Sequence, residues 1–64
     1  RPGYAEAYYN RGLAVWKQGK ATEALADVEQ AFAHADSLLQ TAIRPTLERL
    51  KAQLAAPTPA PSRR

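Results

Sequence analysis

Two stretches of helical periodicity in this chain are separated only by Gly19-Lys20-Ala21. A connector that short leaves two helices one arrangement, an antiparallel hairpin with their flanks in contact. The first helix is expected from about Tyr4 to Gln18: it has no interior proline and is rich in alanine. It stops at Gly19, the residue best suited to a left-handed C-terminal cap. The second is expected from about Thr22 to Ala35.

Small residues then say where the two helices touch. Gly12 falls opposite Ala24 and Ala31, so the backbones can approach while Tyr8, Val15, Val28 and Phe32 close around them. The first helix carries two apolar stripes, Tyr8-Gly12-Val15 and Tyr9-Leu13-Trp16. Two stripes predict a helix packed on one side with an apolar groove on the other. On the second helix, Leu25, Val28 and Phe32 form one row and Ala24, Ala31 and Ala35 a small-residue row beside it. Glu23, Asp27, Glu29, Gln30 and His34 are left for the surface.

A third helical segment covers Ser37 to Ala55, with Asp36 or Ser37 as its N-cap. Leu39, Ile43, Leu47, Leu50 and Leu54 make a single stripe along it. Pro45 cannot donate to the carbonyl of Thr41, and its ring crowds that turn. The stripe keeps its phase through Pro45, which predicts one kinked helix rather than two. Beyond Ala56, Pro57-Thr58-Pro59-Ala60-Pro61 reads as an extended, disordered tail.

Composition narrows the functional classes. The chain has 64 residues, room for one small core and no second domain. It opens with Arg1 rather than methionine, which implies a fragment or a processed product, and no targeting segment is visible. With no cysteine and a single histidine, His34, disulfides and ordinary zinc sites are excluded. The net charge is +3, yet between Tyr4 and Ala56 six basic residues balance six acidic ones. The excess sits at Arg1, Arg63 and Arg64, and no basic face or stripe of the kind that binds nucleic acid forms. No apolar run reaches the ~18 residues that span a bilayer. The segment from Ser37 to Ala55 carries Arg44, Arg49 and Lys51, but also Glu48, and lacks the aromatic anchors of a membrane-surface helix.

Nor does catalytic chemistry assemble. Glu23 and Asp27, one turn apart, read as a solvated face rather than a carboxylate pair. Ser37 and Ser62 lack a nearby base, and Gly3, Gly12 and Gly19 are too dispersed for a phosphate loop. No enzyme activity and no cofactor are expected.

The spacing Tyr8-x2-Arg11-Gly12-x2-Val15 followed by Ala24-x3-Val28-x2-Ala31 resembles the tetratricopeptide repeat, a helical hairpin of about 34 residues, most closely in "AYYNRGLA" and "KQGKATEAL". The likeness covers Ala5 to Asp36. It departs where Tyr8 replaces the commonest tryptophan, Arg11 the usual leucine and Asp36 the closing proline. One period before Asp36 lies Pro2, so residues 1–3 read as the end of a preceding repeat. One period after Tyr8, Gly12 and Val15 stand Ala42, Thr46 and Arg49, which do not fit. The resemblance therefore implies an all-α superhelix fragment: a hairpin over residues 4–36, a C-terminal capping helix over 37–56 and a Pro-rich tail over 57–64. Such a cap solvates the apolar flank that a last repeat would otherwise expose.

In this family the first helix lines a concave surface that holds peptides. Here that surface is Glu6, Tyr9, Asn10, Leu13, Trp16 and Lys17: aromatic and aliphatic area for affinity, an amide and charges for orientation. The alternative is that Tyr9, Leu13 and Trp16 pack against a neighbouring unit. Asn10 stands where co-chaperone members hold a ligand carboxylate, but Lys17 does not complete that set. The expected role is a non-catalytic protein–protein interaction module for a protein or peptide. The other possibilities are a structural cap of a longer array and a homodimer joined through the first helix, with neither nucleic acid nor membrane as partner.

Overall fold

The computed structural model describes residues 2–55; the expected tail over 57–64 lies outside them. Three helices follow in order: α1 (Pro2–Lys17), α2 (Ala21–His34) and α3 (Ser37–Ala55). The fold is all-α, a hairpin of α1 and α2 with α3 packed on α2. α1 begins earlier than expected. Pro2 is its first residue, a position where the missing N–H has no intrahelical partner to lose and a fixed φ is already helical.

The hairpin turn follows from Gly19. Its φ of 86° is the left-handed conformation that side chains resist. That geometry returns Gly19 N–H to the Trp16 carbonyl at 2.8 Å and Lys20 N–H to the Val15 carbonyl at 3.2 Å. Two carbonyls that the end of α1 would leave bare are thereby satisfied. α2 then starts at once, with Ala24 N–H on the Lys20 carbonyl at 2.9 Å and no side-chain cap.

The second turn uses side chains. Ala35 is extended (φ −82°, ψ 151°), and Asp36 Oδ1 accepts the Leu39 N–H at 2.9 Å, the N-cap expected of α3. The Phe32 carbonyl at the end of α2 accepts Ala35 N–H at 3.3 Å and the Gln40 side-chain amide at 2.9 Å. Gln40 thus ties the first turn of α3 to the last turn of α2.

α3 runs as one helix through Pro45. An interior proline costs about 3 kcal/mol, and burial offsets it: Ile43 and Leu50 are fully enclosed and Leu47 nearly so. Each such side chain contributes about 1.5–3 kcal/mol. Leu54 departs from its expected place in the stripe and is 40% exposed. α3 has 19 residues against 14 in α2, so its last turn has no α2 backbone beneath it.

The core is built largely of small side chains: Ala5, Ala24, Val28 and Ala31 are 2% exposed or less beside Ile43 and Leu50. Gly12 is the closest approach. A Cβ placed there would lie 2.8 Å from Val28 Cγ2, 3.2 Å from Asp27 Cβ and 3.3 Å from the Ala24 carbonyl oxygen. The opposing set is therefore Ala24, Asp27 and Val28; Ala31, expected opposite Gly12, is buried in the core without being one of these nearest neighbours.

Candidate partner-binding face

The two apolar stripes of α1 resolve into a different arrangement from a packed side and a free side. Ala5 and Gly12 are buried on the line between them, and Tyr8, Tyr9, Val15 and Trp16 are half-buried to either side. α1 thus seats one flank on α2 and leans the other on α3. Tyr9 shares a hydrogen bond of 2.8 Å with the Thr46 hydroxyl, and Trp16 Nε1 donates to Gln53 Oε1 at 3.1 Å. Both bonds join residues 37 apart in the chain, so α1 and α3 run parallel and in register.

Within the expected recognition set, this separates the residues. Tyr9 and Trp16 are oriented by α3. Asn10, Leu13 and Lys17 continue outward, Leu13 half-buried and the other two exposed. With Ala14 and the indole of Trp16 they line an open depression of about 570 Å³. Glu6, exposed one turn before Asn10, lies instead at the rim of a second depression of about 550 Å³, with Ala5, His34, Asp36, Leu38 and Leu39 among its walls. Leu38 there is 82% exposed.

The opposite flank holds features that the sequence pattern did not bring out. Arg11 grips Asp27 with both prongs, Nε to Oδ2 at 3.0 Å and a terminal nitrogen to Oδ1 at 2.8 Å. Asp27 is buried rather than part of a solvated surface, its side chain 12% exposed against 65% for Arg11. The hydrogen bonds and charge of Arg11 hold the Asp27 carboxyl below its ordinary 3.8, against the opposing pull of partial burial. The same pairing raises the Arg11 guanidinium further above its ordinary range. Gly12 lies against Val28, so the preceding residue on each helix, Arg11 and Asp27, also meets its counterpart.

His34, the last residue of α2, stacks on Tyr8 with ring centroids 5.8 Å apart and planes 6° apart. Tyr4 stands edge-on to both rings, at 5.4 Å from His34 and 6.1 Å from Tyr8. The Arg11 guanidinium lies 5.7 Å from the Tyr8 centroid, and Arg44 lies 5.4 Å from that of Phe32.

Among the described residues no three of His, Cys, Asp and Glu gather as metal ligands would, and no helix is long and apolar enough to cross a membrane. Comparison with known proteins returns no matching family model, no matching curated protein and no matching solved structure.

Proposed function

We propose that this chain is a non-catalytic protein–protein interaction module, a tetratricopeptide-like hairpin whose α1 flank receives a peptide or partner surface and whose α3 caps it. The observation that carries the reading is the depression formed by Asn10, Leu13, Ala14, Trp16 and Lys17. It combines an indole hydrogen-bonded to Gln53 with a leucine, an amide and an exposed cation. Rigid aromatic area with a few orienting polar groups is the composition of binding hot spots. The parallel register of α3 on α1 supports the capping role, since a following hairpin would set its first helix there.

Random peptides displayed on phage, selected against the whole chain, test the reading. Selected peptides should change Trp16 fluorescence on titration, and Leu13→Lys should weaken them about tenfold or more while the circular dichroism is kept. Equal binding by wild type, Leu13→Lys and Asn10→Ala would remove the groove from the account. A second reading, a purely structural cap, draws on the engagement of Tyr9 and Trp16 by α3. It predicts that selection against this face yields nothing.

A further inference from the structure

Glu6, Asn10, Leu13 and Lys17 fall four, seven and eleven residues along α1 from the first of them, so they form one straight row on its outer face. Three of the four are exposed and Leu13 is half-buried. The row has an anion at one end and a cation at the other, about 16 Å apart. None of the four has a side-chain hydrogen bond or ion pair among the described residues.

The charges of a row of this kind are complementary to their own reverse. We propose that the partner this face takes is a second copy of the chain, with the two α1 helices antiparallel about a two-fold axis passing between Arg11 and Gly12. That register sets Glu6 of one protomer against Lys17 of its partner, and repeats the pair at the other end, as an isologous interface requires. Asn10 and Leu13 lie equally far to either side of the axis. At each of the two central levels the Leu13 of one protomer therefore stands opposite the Asn10 of the other. A parallel pairing would set Glu6 against Glu6 and Lys17 against Lys17, so the charges select the antiparallel one. The pairs are exposed and the contact is one short helix wide, below the area of a permanent interface, so the dimer is weak and salt-sensitive. This inference rests on the reading of the α1 flank as a binding face and names its partner.

Sedimentation equilibrium on the full chain at low salt, from about 10 µM to about 1 mM, gives the first readout, with mass rising toward twice the monomer. The decisive experiment uses two variants. Glu6→Lys leaves two cations in the row, and Lys17→Glu leaves two anions; each alone should stay monomeric, with circular dichroism checking that it folds. Mixed in equal amounts, they should form a heterodimer, because every end then meets its opposite. The doubly swapped chain, Glu6→Lys with Lys17→Glu, should dimerise like wild type. A wild type that is monomeric throughout overturns the dimer and leaves the peptide reading to its own titration. A dimer indifferent to both swaps, or no recovery on mixing two folded variants, overturns the register.

Discussion

Arg11 and Gly12 are neighbours that hold α1 to α2 in different ways, Gly12 by what it lacks and Arg11 by reach. Alanine at position 12 would improve helix propensity by about 1 kcal/mol, but its Cβ would meet Val28 Cγ2 at 2.8 Å, with Asp27 and the Ala24 carbonyl close behind. Overpacking of this kind costs about 1–3 kcal/mol, so Gly12→Ala should lower the melting temperature by several degrees. Adding Val28→Ala removes the atom in the way, and a thermal-melt cycle should show the double variant losing less than the two singles summed. The Arg11–Asp27 pair predicts acid sensitivity with a definite sign. The folded Asp27 carboxyl titrates below 3.8, so as pH falls the unfolded chain takes up the proton first. The pair's contribution is whole above about pH 5, declines below it and is gone once the folded value is passed. Asp27→Asn should flatten that part of the acid-denaturation profile; an unchanged profile would show that the pair does not stabilise the fold. Gly12 was legible because a glycine inside a helix has few other uses. Asp27 was not, because an acid one turn from Glu23 looks like surface until its partner on the other helix is known.

At the level of elements, α3 carries the clearest internal conflict. Its apolar stripe asks for one continuous helix, and Pro45 removes a donor from the middle of it. Pro45→Ala should restore the bond to the Thr41 carbonyl and raise stability by up to about 3 kcal/mol. Thermal unfolding followed at a helical wavelength measures it; no rise would mean that α3 accommodates the ring without loss. The Asp36 cap and the Gly19 turn could be read from residue order, since each depends on contacts within a few residues, and the continuity of α3 from the unbroken phase of its apolar stripe. The burial of Ala5 and the exposure of Leu54 could not. They follow from where the neighbouring helix begins and ends, information that helical periodicity does not carry. The same limit explains α1: two stripes signalled two packing surfaces, but only the position of α3 turns Tyr9 and Trp16 inward and leaves Leu13 outside.

For the molecule as a whole, the all-α hairpin with a third helix was foreseeable from connector lengths, whereas the candidate face was only half so, its members divided between α3 and solvent. Each main packing contact joins helices that are neighbours in the chain, α1 with α2 and α2 with α3. Local topology of this kind spends little loop-closure entropy before contacts form, so folding should be complete in microseconds to milliseconds. The Trp16–Gln53 bond spans 37 positions and therefore closes later than either hairpin. A temperature-jump experiment should resolve a Trp16 fluorescence phase slower than the helical signal; coincident phases would show a single concerted step. The lone indole is thus a built-in clock for the moment at which the first and last helices find each other.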